Sequence, residues 1–309
     1  MQLQHLRYFV ALARSRHFAV AASTCGVSQP TLSAGLAALE QELGKRLVER
    51  DRRFIGLTEH GKAILPWAEQ TLGAVRGLTQ AAAATAQALT GEFRLYTIPS
   101  AQPLVGPFGR ALLRANPGLT LSVTSGTSRE IEQGLVVNEF DAGLTYLDHE
   151  PPANVLSAPL HHEQFVAIAR NGAGLDERES ISWSDLAGMP LCLLHQGMQY
   201  RRMLDRQFAR HGLSVTPAAI SDNYVAMFAL VRAAELVSIV PDAYAALLEG
   251  LGWCRFVPII PAADTRRIGL VVVNRDPLGA MPRAGLTAAQ QLDPLHLIEE
   301  FYQTSDKSI

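Results

Sequence analysis

The stretch that most constrains this chain runs from Gly26 to Gly44. Leu32, Leu36, Leu39 and Leu43 stand at i, i+4, i+7 and i+11, a single stripe of an α-helix. Ser28 precedes them as a cap and Pro30 falls in the first turn, where its missing N–H goes unneeded. Gly44 supplies the left-handed stop. Upstream, Leu3, Leu6, Val10 and Ala13 share one face with Phe9 beside them, which predicts a first helix. Phe18 to Thr24 predicts a short second helix that buries Phe18, Ala21 and Ala22, ends at Gly26 and is plugged by Val27. Two short helices joined by a tight turn, the second buried along one stripe, make a helix-turn-helix. Its second helix turns Ser28, Gln29, Thr31 and Ser33 outward, small or amide groups able to read base edges or bond phosphate. Residues 47–58 then read as two extended stretches around a charged tip, a hairpin wing. On it Arg50, Arg52 and Arg53 can bind phosphates or probe a minor groove. Any trihelical core carries a similar pattern, with arginines that merely solvate a turn. Periodicity alone leaves DNA binding and a plain helical core both open.

Charge sharpens the choice a little. Residues 1–90 hold ten Lys+Arg against six Asp+Glu (+4), and residues 91–309 hold 17 against 23 (−6), within a net charge of −2. A basic short end and an acidic long end suit DNA contact at one and regulation at the other. With 48% hydrophobic and 18% charged residues the chain is too apolar for disorder. Its first residues lack a secretory pattern and no apolar run reaches a bilayer-spanning length, so a cytoplasmic protein with no membrane contact is expected. Cys25, Cys192 and Cys254 form no C-x-x-C pair and read as reduced, buried thiols. No nucleophile elbow, S-x-x-K pair, H-E-x-x-H helix, P-loop or G-x-G-x-x-G occurs, so no enzyme and no cofactor are expected. His161-His162-Glu163 has no matching ligand pair and reads as a strand-end histidine pair, with no metal.

From Glu59 to about Leu89 the chain lacks a strong breaker after Pro66. Leu65, Ala68, Leu72, Val75, Ala82 and Leu89 recur at coiled-coil-like intervals. So long a helix needs a partner surface, either its own domain or a twin. Composition changes at Thr90-Gly91-Glu92. Strands are predicted at 93–98, 119–124, 141–145, 165–169, 191–194, 236–240 and 269–273, with helices from about Pro103, over 129–138 and from about Tyr224. The alternation argues for a mainly parallel sheet with helices on its faces. Ligands in such folds sit beyond strand carboxyl ends, at helix N-termini. Four places qualify: Ser100 with Gln102; Thr127 and Ser128, where Thr127-x-x-Glu130 is a capping box; His195-Gln196-Gly197-Met198; and Ser221-Asp222-Asn223. Each also reads as ordinary helix capping. The effector-binding candidates are therefore Ser100, Gln102, Thr127, Ser128, Gln196 and Asn223, with Arg129 and Arg201 close in sequence. Neutral donors at helix starts favour a small, anionic metabolite.

Ala21-Ala22, Val27-Ser28-Gln29-Pro30-Thr31-Leu32-Ser33, Leu39-Glu40-x-Glu42-Leu43-Gly44-x-x-Leu47, Glu49-Arg50 and Leu57-Thr58-Glu59-x-Gly61 together resemble the LysR-type transcriptional regulators. The match is dense over residues 3–66 and looser beyond residue 90. It implies a mixed fold: an all-α winged helix-turn-helix over 1–58, a linker helix over 59–89, and an α/β effector domain over 90–309. That domain resembles periplasmic binding proteins, with subdomain I near 90–163 and 269–309 and subdomain II near 164–268. The resemblance implies double-stranded DNA as partner, a small-molecule effector in a cleft on which the four helix starts converge, and a homodimer through the linker helix, assembled further to a tetramer. It assigns DNA contacts to Ser28, Gln29, Pro30, Thr31, Ser33, Arg50, Arg52 and Arg53. Where the family often has basic or long polar residues, this chain has Ala34-Gly35-Leu36-Ala37-Ala38. No base contact is carried to 34 or 35, although Gly35 in mid-helix would suit a close backbone approach to DNA. The family's peroxide-sensing branch has a reactive cysteine in the loop after the strand corresponding to Leu191–Leu194. Here that loop, His195 to Arg201, has none, and Cys192 within the strand is expected to be unreactive.

Overall fold

Phe9, Leu12, Leu32, Leu36, Leu39 and Leu47 have no exposed surface and form the centre of the N-terminal core. In the computed structural model, which describes residues 1–49, 54–79, 89–248 and 250–298 in full and the backbone alone of 50 and 80–84, this core sits among α1 (Leu3–Ser15), α2 (Phe18–Thr24) and α3 (Gln29–Leu43). Ser28 caps α3 by accepting from the Thr31 N–H at 3.3 Å, and Gly44 closes it at φ 64°. The leucine stripe ends one residue early: Leu43 is exposed, because the helix outlasts the elements it packs on. Gly35 faces inward. A Cβ there would come within 2.6 Å of the Tyr8 ring, so the glycine serves α1–α3 packing and not an approach to DNA.

β1 (Val48–Arg50) and β2 (Phe54–Leu57) pair antiparallel, Val48 opposite Leu57. α4 (Glu59–Ala84) follows, shorter than the expected 59–89; residues 85–88 lie outside those described and Leu89 is not helical. Ala68 and Leu72 are buried in the head's own core, so the first half of α4 belongs to the head. Trp67 and Leu78, absent from the expected pairing stripe, are its prominent apolar groups in solvent, 70% and 72% exposed.

Ala88–Glu132 and Phe140–Ile309 form a second compact unit, which holds two sheets, while Gln133–Glu139 group with the first unit. After α4 the elements in chain order are β3 (Thr90–Thr97), α5 (Val105–Ala115), β4 (Gly118–Ser125), α6 (Ser128–Val136), β5 (Ala142–Tyr146), β6 (Val155–Glu163) and β7 (Phe165–Arg170). Next come β8 (Ile181–Ser182), α7 (Trp183–Ala187), β9 (Leu191–Leu194), α8 (Gln199–Arg210), β10 (Ala219–Ser221), α9 (Tyr224–Ala233) and β11 (Val237–Pro241). The last are α10 (Asp242–Leu248), β12 (Cys254–Ile260), β13 (Arg266–Val273) and α11 (Ala280–Gln290). One sheet has the order β4-β3-β5-β13-β6, the other β10-β9-β11-β7-β12-β8. The chain leaves the first sheet after Glu163 and returns at Arg266.

The sheets are mixed, not mainly parallel. β3 pairs parallel with β4 and β5, and β9 with β10 and β11, whereas β13 runs antiparallel to β5 and β6, and β7 to β11 and β12. The antiparallel members are the strands that lead from one sheet to the other, which enter from the opposite end. β6 and β12 escaped prediction because each contains a proline, Pro159 or Pro258, and lacks clean alternation. Pro159 sits at an irregularity in the β6–β13 ladder, opposite Gly269. Among the described residues no helix is long and apolar enough to cross a membrane.

Candidate functional site

Two surfaces carry the chemistry. On the head, Gln29, Pro30 and Thr31 are exposed at the start of α3, and Ala34, Ala37 and Gln41 continue the same outward row. Position 34 therefore faces solvent although 35 does not. Ser28 is exposed, but its hydroxyl lies 2.8 Å from Thr31 Oγ1, so capping engages both groups. Ser33 is half-buried, since it neighbours the inward stripe. Arg52 and Arg53 lie outside the described residues, as does the side chain of Arg50. Glu40 is buried and accepts the Leu47 and Val48 N–H groups at 2.8 and 3.2 Å, which fixes the wing against α3. Periodicity gave no hint of that role, because a carboxylate on the inner face reads as an error until its two donors are known.

In the second unit, a cleft of about 620 Å³ is lined from the first sheet's side by Ser100, Thr127, Ser128, Arg129, Tyr146 and Glu150, and from the other by Leu194, Gly197, Met198, Gln199, Tyr200 and Arg202. Of the six expected residues, Ser100, Thr127 and Ser128 line it. Gln102, Gln196 and Asn223 do not. Gln102 is exposed and held by Ser125 at 3.1 Å and by the Tyr244 hydroxyl at 3.2 Å. Asn223 is spent on capping α9, accepting from the Ala226 N–H at 2.8 Å, and Gln196 projects into solvent. Arg201 also falls away: it is buried, bound to Asp205 at 2.8 Å and to the Leu194 carbonyl at 2.9 Å. Its neighbour Arg202 lines the cleft instead and pairs with Glu150 at 2.7 Å, joining the two sides.

The two helix starts at this cleft differ. At α6 the Thr127 N–H and hydroxyl both donate to Glu130, at 2.7 and 2.9 Å, and these bonds hold that carboxyl below its usual range. A negative charge already occupies the positive end of α6. At α8 no side chain caps the first turn. Two buried polar atoms there, Gln199 Oε1 and Tyr200 Oη, have no hydrogen-bond partner among the described residues. Orphaned donors and acceptors of this kind mark a place that a polar ligand completes. Behind them, Tyr146 Oη touches Ser100 Oγ at 3.0 Å and Glu163 at 3.0 and 3.2 Å, and Glu163 pairs with Arg266 Nε at 2.9 Å. Burial raises Glu163 to about pKa 7 despite the opposing pull of Arg266. The rule that ligands gather at strand carboxyl ends would have found Tyr146, the last residue of β5. Tyr200 and Arg202 carried no comparable signal.

The thiols lie elsewhere. Cys192 is fully buried in β9, and burial raises the thiol pKa of Cys25, Cys192 and Cys254 alike. Among the described residues no group of three or more potential ligands can hold a metal ion.

Residues 86–292 match the LysR substrate binding domain, and residues 3–62 the bacterial regulatory helix-turn-helix protein, lysR family. The chain belongs to the LysR family. Members of this family are transcriptional regulators, not enzymes. A probable hydrogen peroxide-inducible genes activator of Mycobacterium avium is 40% identical over 193 residues; the match covers 62% of this chain and 62% of that relative's length. The SDS degradation transcriptional activation protein of Pseudomonas sp. (strain ATCC 19151) is 32% identical over 283 residues, 88% of this chain and 90% of that one. Among solved LysR-like structures, a full-length OxyR variant from Pseudomonas aeruginosa superposes with a TM-score of 0.73 at 25% identity, covering 95% of this chain and 96% of that one. The LysR family regulator CbnR, at 23% identity and TM-score 0.70 over 94% of this chain and 99% of that one, has the same fold.

Proposed function

We propose that this chain is a sequence-specific, double-stranded-DNA-binding transcriptional regulator whose C-terminal unit senses a small anionic metabolite. The observation that carries the effector assignment is the uncapped start of α8, with the partnerless Tyr200 hydroxyl free to donate beside Arg202 in a cleft of about 620 Å³. Orphan N–H groups, a helix dipole and two flanking arginines favour one carboxylate or oxyanion over a polyanion such as a nucleotide. A ligand there competes with Glu150 for Arg202.

The head reads DNA through Gln29, Pro30, Thr31 and Ser33, with Ser28 ordering the turn, and holds phosphate through Arg50, Arg52 and Arg53. A CbnR structure complexed with its target DNA has this fold, at 23% identity and TM-score 0.70. The exposed Trp67 and Leu78 on α4 suit pairing of two chains, so that two heads meet an inverted repeat. In a gel shift with DNA from upstream of its own gene, Gln29→Ala is expected to relax base preference by about 1–3 kcal/mol. Arg52→Ala and Arg53→Ala are expected to weaken binding to every sequence and to lower the salt slope by about one each. Unchanged affinity and selectivity in all three variants removes the reading surface.

A second reading comes from the relatives named hydrogen peroxide-inducible genes activators, among them that of Mycobacterium avium. It makes peroxide the signal. The absence of cysteine from residues 195–201 and the burial of Cys192 weigh against a thiol route. Thermal shift of the full chain separates the two. Formate, acetate or sulfate is expected to raise the midpoint with concentration, and Ser100→Ala to weaken the effect. Mild peroxide is expected to leave operator binding unchanged, in the native chain and in Cys192→Ser alike. A peroxide response lost in Cys192→Ser overturns this reading.

A further inference from the structure

Glu163, Tyr146 and Ser100 form an unbroken line from the buried ion pair to the cleft wall. A phenol has one hydrogen. The Tyr146 hydroxyl is placed to donate to Ser100 or to Glu163; while Glu163 is a carboxylate it can only accept and takes that hydrogen, so the Ser100 hydrogen must turn to Tyr146 Oη for their 3.0 Å contact to persist. Ser100 then turns only lone pairs toward the cleft. Once Glu163 carries a proton, Arg266 offers no acceptor for it, and Tyr146 Oη receives it. The Tyr146 hydrogen swings to Ser100 Oγ, and the Ser100 hydrogen is released toward the cleft. Protonation at one end thus reverses the polarity of the other.

We propose that this relay couples the cleft to protons: an anion is bound together with one proton, which resides on Glu163, because only then does Ser100 donate. The proposal rests on the anion-sensing reading of this cleft. Its geometry is three buried side chains at hydrogen-bond distance, Ser100, Tyr146 and Glu163, each with little or no exposed surface. The groups facing Glu163 come from five other elements. Arg266 on β13 pairs with it, and Tyr146 on β5 bonds to it, with the His149 ring 6.5 Å away from that phenol. Tyr200 on α8 and Tyr224 on α9 are both buried and held above the usual phenol range by burial, so neither ionises near neutral pH. Asp242 on α10 opposes ionisation of Glu163 and is itself bonded to His161 at 2.9 Å. His162 adjoins Glu163 on its own strand. With Glu163 at about pKa 7, the relay changes state within the physiological range.

Two measurements on the full chain test this. The first needs no ligand. Infrared difference spectra between pH 6 and pH 8 are expected to contain a protonated-carboxyl band that vanishes on deprotonation and is missing in Glu163→Gln. A tyrosine C–O band must shift with the same midpoint and be missing in Tyr146→Phe. The second uses formate, acetate and sulfate, which stay ionised from pH 6 to pH 8. If only the protonated relay accepts an anion, binding is about tenfold tighter at pH 6 than at pH 8, the ratio of protonated fractions for a group near pH 7. Glu163→Gln keeps a donor to Tyr146, and Tyr146→Phe frees Ser100, so both variants are expected to bind at pH 8 as tightly as the native chain at pH 6. A His149→Gln control is expected to retain the full dependence. Binding independent of pH, or equally dependent on it in Glu163→Gln, overturns the coupling alone. A carboxyl band without the tyrosine shift also overturns it. If no anion binds at either pH while both infrared changes occur, the anion reading itself fails and the coupling falls with it.

Discussion

Glu163→Leu is expected to destabilise the C-terminal unit by about 3–5 kcal/mol at pH 8, because it leaves a buried guanidinium without its counter-charge. Arg266 is 2% exposed, lies 3.6 Å over the Phe165 ring, and loses the Nε bond to Glu163 with no second carboxylate in contact among the described residues. Arginine cannot shed its charge as a buried lysine would. The double replacement Glu163→Leu, Arg266→Met is expected to recover most of the loss, since an apolar pair of similar volume has no charge to desolvate. Chemical denaturation of the native chain, Glu163→Leu, Arg266→Met and the double variant measures both effects, and additive losses would refute the pairing. pH supplies an independent check. The folded chain holds the Glu163 proton to about pH 7, whereas an unperturbed carboxyl loses it near 4.5. The stability this contributes is fully present below the lower value, falls as pH rises between the two with a slope of up to about one proton, and is absent above the upper one. Glu163→Gln is expected to remove that slope.

Gly61→Ala is expected to be the most damaging single methyl that can be added to the head. A Cβ there would lie 2.0 Å from the Leu47 carbonyl oxygen, a backbone atom that already accepts the Thr58 N–H at 3.0 Å. Thr58 in turn caps α4 by accepting from the Gly61 N–H at 3.0 Å and donates to the Arg46 carbonyl at 2.6 Å. Relief of the clash must separate the first turn of α4 from the strand that opens the wing. Overpacking of this kind costs typically about 1–3 kcal/mol, and the geometry of the wing against α3 would be lost with it. Lowered thermal stability together with abolished operator binding is the expected outcome; native affinity in the variant would show that α4 can shift freely.

The same glycine illustrates what a sequence reading can and cannot reach. The motif Leu57-Thr58-Glu59-x-Gly61 was recognisable as a pattern, but its cause, the Leu47 carbonyl at the foot of the wing, is a tertiary fact. Elements set by local rules were legible: α3 from its cap, proline and leucines, and β9 from an unbroken apolar run. β6 and β12 were not, because prolines and interleaved polar residues hide strands that gain their partners from another part of the chain. In the cleft, helix starts with hydroxyl groups pointed to Ser100, Thr127 and Ser128, while Gln102, Gln196 and Asn223 share the same local signature without the position. Whether an amide caps its own helix or faces a cavity depends on how the strands are ordered, which periodicity does not encode. Tyr146, Gln199, Tyr200 and Arg202 were missed for the complementary reason: each reads locally as an ordinary helix or strand residue.

The position of β13 also bears on how the molecule is made. It lies between β5 and β6 in the first sheet, yet it is the last strand among the described residues, and Arg266 meets Glu163 across 103 residues. During synthesis β3, β4 and β5 emerge long before the strand that must seal β5, and all of the second sheet is translated in the interval. At about 5–20 residues per second that interval lasts several seconds, through which the β5 edge is open to pairing with other chains. Long-range closure of this kind also slows folding in solution. The second sheet's lobe can organise first, and its completion brings the chain back to the waiting edge. Truncations that end before Arg266 should therefore aggregate, whereas those that keep β13 should remain dispersed.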